Sequence, residues 1–474
     1  MTRPRSLFAV QDAAAALTRD EARALVNRIS GFSKADAIRV NIRSGWSGNT
    51  RFAGGQVTTS GDTTDTSITI LSTIGRRRAS TTTNVLDDEG LRRSVDLSER
   101  LARLSPEDPE LMPELGPQQY LTINTWFDAT AALGPEPRVT GAQAVIGAGE
   151  SAWQAASDAS GALFVAGFLD ADASATVVAN NKGLFAYQRS TSVRLSNTAR
   201  TPDATGSGWA SASARNWRQV DPVSLGRRAA RKAIDSRSPV ALEPGYYTVV
   251  LESAAAGQLI GQVAGALNAR AAEEGRNAFS RPGGTRLGEK IFDSRVTFYS
   301  DPADPENPGD PFDAEGFPTS RRVWIENGVL KQLQYDRYWA QRKSVPATMG
   351  GGGGRGGGGG GGGGFGGGAV RMRPGTTTLD ELIAGCRRGV LVTHFFYTNT
   401  LDQRSMLLTG LTRDGTFLIE NGRVVRSVKN FRFNQSVMQM LNSIEEIGKP
   451  APGVGTAPPM RVTDFNFAQV TDAV

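Results

Sequence analysis

The stretch that most constrains the fold of this chain runs from Tyr246 to Ser280, with the sequence YYTVVLESAAAGQLIGQVAGALNARAAEEGRNAFS. It begins with an apolar, β-branched run from Thr248 to Leu251, which is typical of a buried strand. Ser253 then offers an N-cap type of residue, and apolar side chains recur at helical spacing after it. These side chains are Leu259, Ile260, Val263 and Leu267. The pattern predicts a strand that leads directly into a helix at the centre of the C-terminal half.

Three glycines lie on roughly the opposite side of this predicted helix, at Gly257, Gly261 and Gly265. Each glycine inside a helix costs about 1 kcal/mol relative to alanine, so their four-residue spacing needs a physical reason. A close approach of another backbone would supply one, and we therefore expect a helix that is buried on both sides. Periodicity alone favours the simpler alternative, a tight helix crossing that carries no chemistry.

Several segments resemble the TldD/PmbA family, which includes the two-component TldD/TldE peptidases, in their order and spacing. The segments are VVLE…AGALNARAAEEGRNAFS around the central helix, RFAGGQVTT, GRRRAST, RVWIENGVL and TGLTRDGTFLIENGRVV. In catalytic TldD-type members of the family, the helix after this strand carries HExxxH. Its two histidines would bind zinc, and its glutamate would serve as a base.

The motif positions are occupied by Gly261, Gln262 and Ala266 in this chain, when the register is set by Leu259 and Ile260. Both histidines are absent, and an amide that cannot act as a base replaces the glutamate. The tail KPAPGVGTAPPMRV also lacks the C-terminal cysteine ligand of the catalytic branch. The resemblance therefore implies a PmbA/TldE-like member without the metal site.

The resemblance also implies a function, which is that of a non-metal-binding subunit in a hetero-oligomeric metallopeptidase complex that processes or degrades peptides. Zinc is then expected in an HExxxH-containing TldD-like partner, and no cofactor is expected in this chain. Two alternatives remain, a stand-alone peptide-binding or scaffolding protein and a self-sufficient hydrolase that uses His394. The residues that we assign to a candidate peptide cleft or interface are Gly257, Gly261, Gln262, Gly265, Ala266 and His394.

The residue counts argue separately against a metal site. The chain has one histidine, His394, and one cysteine, Cys386, whereas a catalytic zinc site needs three protein ligands. A Ser-His-Asp triad through His394 is formally possible, but the segment predicts a helix, a turn and then a strand, with Thr393 and Phe395 flanking the histidine. This pattern favours a hydrogen-bonded histidine in a strand. Arg387 and Arg388 could lower the pKa of the Cys386 thiol, although a buried cysteine near a helix end is the simpler interpretation.

Composition places the chain among ordinary soluble proteins, since 39% of its residues are apolar and 21% are charged. A single cysteine excludes an internal disulfide and fits a reducing compartment. The start has no signal-like apolar region, and no apolar run of membrane-spanning length occurs, so we expect a cytoplasmic protein. The net charge of +6 lies in short, separated basic clusters without aromatic residues between them, which argues against nucleic-acid binding.

The order of predicted elements indicates an α+β protein. Residues 1–235 predict an antiparallel sheet layered with helices, and a division into two subdomains, 1–120 and 121–235, is the alternative. Residues 236–474 predict a strand-rich domain around the central buried helix. Local signals include capping boxes at Thr18/Glu21 and Thr378/Glu381, Asn-Gly hairpins within 321–333 and 415–428, and a last helix at Ser436–Ile447.

A nearly pure glycine segment runs from Met349 to Gly368. It lacks GK[ST], which excludes a phosphate-binding loop of the P-loop type. Because it offers almost no side chains to bury, we expect a flexible surface insertion. A role in gating a substrate cleft is the alternative.

Overall fold

The computed structural model describes residues 16–123, 127–156, 160–306, 309–350, 370–451 and 457–471. The predicted glycine insertion at 349–368 lies outside these residues, apart from Met349 and Gly350. Its interpretation as a flexible insertion stays a prediction.

The N-terminal half is built on one antiparallel sheet. Its strands are β1 (Ala37–Ala53), β2 (Gln56–Ile74), β3 (Arg77–Thr83), β4 (Phe164–Asn180), β5 (Phe185–Arg200) and β6 (Ser207–Ala214). They lie in the order β3-β2-β1-β4-β5-β6. Strands from both sides of residue 120 therefore share one sheet, while the domain boundaries themselves stay predictions.

Four helices cover one face of this sheet. They are α1 (Arg19–Phe32), α2 (Asp88–Leu104), α3 (Pro135–Gln154) and α4 (Pro222–Asp235). β1 supplies Ile38, Val40 and Ile42 to the core under α1 and α2, and Trp46 and Phe52 to the core under α3 and α4. All five positions are even-numbered, so the four helices lie on the same side of the strand.

The C-terminal half contains thirteen further strands among the described residues. They are β7 (Gly245–Leu251), β8 (Ser280–Arg281), β9 (Gly284–Thr285), β10 (Phe298–Ser300), β11 (Arg322–Glu326), β12 (Val329–Leu330), β13 (Arg371–Met372), β14 (Arg388–Asp402), β15 (Leu407–Glu420), β16 (Arg423–Ser427), β17 (Asn430–Ser436), β18 (Ile444–Ile447) and β19 (Met460–Thr471). The helices of this half are α5 (Ser253–Ala266), α6 (Ala269–Glu273), α7 (Arg337–Lys343), α8 (Leu379–Ala384) and α9 (Val437–Asn442).

Five of these strands form a closed, barrel-like ring. β14 pairs with β7, β7 with β19, β19 with β17, β17 with β15, and β15 again with β14. β16 and β18 extend the ring at β15 and β19, and a separate four-stranded sheet has the order β12-β11-β10-β13. The mixed α+β fold predicted from the sequence is confirmed.

The central strand and helix occupy the main core of this half. Leu259 and Val263 of α5 and its C-cap residue Leu267 are fully buried in the same cluster as the barrel residues Phe395 and Phe433. The predicted apolar face of the helix is thus confirmed. The helix starts one residue earlier than a Ser253 cap would place it, because Glu252 is the N-cap residue. The Glu252 carboxylate forms an ion pair with Lys232 of α4 at 2.7 Å.

The glycine side of α5 differs from the prediction. Gly261 and Gly265 are exposed, and a Cβ atom at either position would meet no described atom within 4 Å. The expectation that the helix is buried on both sides is therefore wrong for the described part of the chain. Only Gly257 has a close neighbour there, since its Cβ would lie 3.1 Å from that of Ala457.

Local sequence signals set several other boundaries. Both capping boxes form as predicted, at Thr18/Glu21 and at Thr378/Glu381. The two Asn-Gly pairs make the turns β11–β12 and β15–β16, with positive φ at all four residues. The predicted helix Ser436–Ile447 is wrong in its second half, since α9 ends at Asn442 and β18 then pairs with β19.

None of the helices within the described ranges combines the length and apolar character needed to cross a bilayer.

Candidate functional site: a strand edge beside the glycine face of α5

The exposed glycine side of α5 borders a small open pocket of about 160 Å³. Gln262, Gly265 and Ala266 line it from the helix. Thr400 and Gln403 line it from the end of β14 and the turn that follows. The pocket thus lies between a helix face that has no bulky side chains and the outer half of a barrel strand.

The outer half of β14 has a strand neighbour on one side within the described residues. β14 pairs with β15 from Arg388 to Asp402, but its parallel pairing with β7 covers only Val390 to Val392. A strand edge of this kind presents backbone N–H and C=O groups to any extended chain that lies beside it. The edge begins where α5 passes the strand.

Gln258 of α5 hydrogen-bonds the backbone of Phe395, which is the first residue of this edge. Its side-chain Nε2 donates to the carbonyl oxygen of Phe395, and its Oε1 accepts from the Phe395 N–H, both at 2.9 Å. A paired strand residue makes the same two backbone hydrogen bonds. The amide of Gln258 therefore occupies the place where a neighbouring strand would continue.

The segment beyond Phe395 is exposed and locally irregular. Phe396, Tyr397 and Leu401 are 43%, 73% and 56% exposed. Tyr397 has a φ of +56°, and the pairing with β15 shifts register between Phe396 and Asn399. A bulky residue in the left-handed region is strained, and such strain is common at binding sites. The outer half of β14 thus offers an open edge together with exposed apolar side chains.

The structure brings most of the sequence-predicted site residues together and separates one of them. Gln262, Gly265 and Ala266 line the pocket, and Gly261 is exposed beside Gln262 on the same helix. Gly257 lies one turn earlier, next to Ala457. His394 lies in β14 but lines a different cavity. Gln258 was missed from the sequence, because a glutamine in a helix gives no sign of a partner 137 residues away.

His394 is held by two neighbours. Its Nδ1 lies 3.2 Å from Oδ2 of Asp414, and its ring stacks on Trp209 at a centroid distance of 4.4 Å. The other carboxylate oxygen of Asp414 accepts a hydrogen bond from Ser207 Oγ at 2.5 Å. The prediction of a hydrogen-bonded strand histidine is confirmed.

The order in which Ser207, Asp414 and His394 contact one another differs from that of a catalytic triad. In a Ser-His-Asp triad the histidine lies between the serine and the carboxylate and takes the serine proton. Here Asp414 lies between Ser207 and His394, so the serine donates to the carboxylate. Burial raises the pKa of Asp414, but hydrogen bonds from His394 and Ser207 outweigh this, and the pKa is lowered overall. Ser207, Asp414 and His394 therefore do not form a catalytic triad, and a self-sufficient hydrolase that uses His394 gains no support from this geometry.

Cys386 is buried directly after α8 and packs with Leu382, Leu391 and Phe417. Burial raises the pKa of its thiol, although Arg461 opposes this in part. The interpretation as a buried cysteine near a helix end is confirmed, whereas a thiol activated by its neighbouring arginines is not what the structure shows.

A metal site would need three ligating side chains close together. Within the part of the chain that the structure describes, no group of three or more His, Cys, Asp or Glu side chains is placed to hold a metal ion. That this chain carries no cofactor stays a prediction.

Two family models match the chain in sequence. Residues 135–237 match the PmbA/TldA metallopeptidase central domain, and residues 244–469 match the PmbA/TldA metallopeptidase C-terminal domain. The two matches together span more than half of the chain and include α5, β14 and the pocket between them.

Individual relatives agree with the family models. A metalloprotease of Archaeoglobus fulgidus is 27% identical over 206 residues, which cover 42% of this chain and 45% of the relative. A metalloprotease TldD homolog of Buchnera aphidicola is 25% identical over 227 residues, which cover 48% of this chain and 44% of the relative. The chain thus spans about half the length of the curated relatives it matches.

The fold itself is shared with solved structures. TldE from Thermococcus kodakarensis superimposes with a TM-score of 0.80 at 18% identity, over 94% of this chain and 99% of that one. The sequence matches and the shared fold agree, and the chain belongs to the TldD/PmbA family of metallopeptidase-related proteins.

Proposed function

We propose that this chain is a non-metal-binding subunit of a TldD/TldE-type metallopeptidase complex, in which it holds extended peptide. In this proposal an HExxxH-containing TldD-like subunit carries the zinc and performs the hydrolysis. The proposal also places the complex in the cytoplasm. Gly261, Gln262 and Ala266 occupy the positions at which the catalytic branch has its motif, and none of these side chains can bind zinc or act as a base.

The observation that carries the peptide-binding role is the two-point hydrogen bonding between Gln258 and the backbone of Phe395. This pair of hydrogen bonds supports an edge of β14 that is unpaired among the described residues, runs from Phe395 towards Thr400 and can accept an extended chain. An extended peptide can add to such an edge through its backbone, independently of its sequence. Gly261 and Gly265 leave space for that backbone, because no described atom would contact a Cβ at either position.

The alternative is a stand-alone peptide-binding or scaffolding protein without a peptidase partner. The groove between the outer half of β14 and the glycine side of α5 supports this alternative equally, since both elements belong to this one chain. The two functions differ in whether an HExxxH-containing chain is required.

Coexpression with an HExxxH-containing TldD-like chain, followed by copurification and metal analysis of each separated chain, tests the proposal. We expect a stable complex with about one zinc per partner chain, no stoichiometric zinc in this chain, and peptide hydrolysis only when both are present. A zinc that remains with this chain and is lost in His394→Ala would contradict the proposal. Peptide binding without any association would favour the scaffolding alternative.

A further inference from the structure

A second cavity lies between the two halves of the chain, away from the groove of α5. It has a volume of about 410 Å³ and is lined by residues of β4, β5 and β6 on one side and of β14 and β15 on the other. Its apolar walls include Phe164, Trp209 and Phe396. Its polar lining includes His394, Asp414 and the two arginines Arg200 and Arg413. The proposed peptidase function assigns no role to this cavity.

Asp414 fixes the imidazole of His394 in one orientation. The carboxylate holds Nδ1 on one side, and the indole of Trp209 stacks on the ring with planes 9° apart. Since Ser207 occupies the other carboxylate oxygen, Asp414 has both oxygens engaged. Nε2 is the remaining polar atom of the ring, and it makes no hydrogen bond with the described residues. The imidazole therefore has one polar atom available to a ligand in the cavity.

Arg413 brings a cation to the same cavity. Its guanidinium carbon lies 4.2 Å from the centre of the Phe396 ring, and its Nε lies 4.0 Å from Oδ1 of Asp414. That ion pair is long, and within the described ranges the guanidinium donates no hydrogen bond. The side chain is 26% exposed, so its donors remain accessible. A planar guanidinium held against an aromatic ring presents a fork of donors that matches a carboxylate.

The lining combines the N–H donors of the Arg413 guanidinium with aromatic side chains. This combination suits a ligand in which one negatively charged group is attached to an apolar group. The apolar part would gain from burial against Phe164 and Phe396, both of which are partly exposed. The lining carries two cationic side chains, Arg200 and Arg413, and one carboxylate, Asp414, so a single negative charge on the ligand balances them.

We propose that this cavity binds a carboxylate attached to an aromatic or other apolar group. Arg413 binds the carboxylate, His394 adds a second polar contact through Nε2, and the aromatic walls hold the apolar part. Two sources share this chemistry, a free small acid and the C-terminal residue of a peptide. The inference is independent of the peptidase function.

Titration calorimetry on the full chain tests the site, with N-acetylphenylalanine as the probe and N-acetylphenylalanine amide as its uncharged control. We expect the acid to bind and the amide to bind about tenfold more weakly or not at all, since a charge-assisted bond is lost. Arg413→Gln should weaken binding of the acid by about tenfold or more. Arg426→Gln, which removes an exposed arginine of β16 outside the cavity, should leave it within about twofold.

The outcomes separate the possibilities. Equal binding of acid and amide, or wild-type affinity in an Arg413→Gln chain with an unchanged melting temperature, would overturn the proposal. Tighter binding of inorganic phosphate than of the acid would overturn the choice of a carboxylate. Binding of acetyl-triglycyl-phenylalanine as tight as that of N-acetylphenylalanine would support a peptide terminus as the source, and its exclusion would support a free small acid.

Discussion

The side-chain amide of Gln258 and the backbone of Phe395 form a reciprocal pair of hydrogen bonds, each 2.9 Å long. The pair joins α5 to β14 at the point where the pairing between β14 and β7 has ended. The Gln258 amide thus makes the hydrogen bonds that a neighbouring strand would make at this position, and the edge of β14, unpaired within the described ranges, continues beyond Phe395. The groove between this edge and the exposed glycines of α5 follows from the arrangement.

The first prediction concerns this pair. Gln258→Leu should lower the free energy of unfolding by about 1–3 kcal/mol, because the N–H and C=O of Phe395 lose their partners. Gln262→Leu is the matched control on the same helix, since Gln262 makes no hydrogen bond among the described residues, and it should change stability by less than about 0.5 kcal/mol. Urea denaturation of both variants measures the difference. Equal stability of the two variants would show that the Gln258 amide does not hold the strand.

The second prediction concerns the apolar face of α5. Val263 is fully buried in the core of the C-terminal half. Val263→Ala removes two methyl groups from this core and should cost about 2 kcal/mol of unfolding free energy, without changing peptide binding by the folded chain. Thermal and urea unfolding, with peptide titration below the transition, measure both effects. Loss of peptide binding by a chain that remains folded would show that the two faces of the helix are not independent.

Acid stability provides the third prediction. Because hydrogen bonds from His394 and Ser207 outweigh the effect of burial, the pKa of Asp414 in the folded chain lies below its ordinary value of 3.8. A lowered pKa means that the unfolded state binds the proton more readily, so the contribution of Asp414 is present above that value and is lost as pH falls below it. The free energy of unfolding of the wild type should therefore fall more steeply than that of Asp414→Asn below about pH 4. Parallel curves for the two proteins, measured by urea denaturation from about pH 6 to about pH 3, would contradict this origin of the shift.

The fourth prediction concerns the single cysteine. Burial raises the pKa of Cys386, so little thiolate is present at neutral pH and the sulfur is shielded. Iodoacetamide should modify the native chain far more slowly than the urea-unfolded chain. A Ser213→Cys variant, which adds a thiol at an exposed position of β6, should by contrast be labelled readily at that site in the native state. Rapid labelling of native Cys386, followed by mass spectrometry of its peptide, would show that the thiol is accessible.

Local features of the fold could be predicted from the sequence because they depend on residues close together in the chain. The Thr18/Glu21 and Thr378/Glu381 capping boxes and the two Asn-Gly turns are of this kind. Residues 444–447 could not be assigned locally, since the three-residue spacing of Ile444 and Ile447 fits a helical face. Pairing with β19 decides the outcome, and that pairing depends on the tertiary fold.

The candidate site could be predicted only in part for the same reason. The glycine spacing of α5 is visible in the sequence, but whether that side is covered or open depends on distant segments. The link between Ser207 and Asp414 joins residues 207 positions apart, and no local pattern indicates it. The sequence therefore predicts which residues on α5 are unusual, while their relation to β14 and the separate position of His394 emerge only from the structure.

Peptide binding by two matched leucine variants tests the central claim most directly. A Cβ atom at Gly261, on the glycine side of α5, would meet no described atom within 4 Å, and the same holds at Gly147, on the exposed side of α3 in the N-terminal sheet layer. Leucine at Gly261 therefore extends into the groove between α5 and β14, whereas leucine at Gly147 lies on a different helix. Replacing glycine in a helix should raise the stability of both chains by up to about 1 kcal/mol. Calorimetric titration with an unstructured peptide should then give wild-type affinity for Gly147→Leu and a loss of about tenfold or more for Gly261→Leu, because the added side chain occupies the space of the peptide backbone. Equal affinity in the two variants would contradict a peptide groove between α5 and β14.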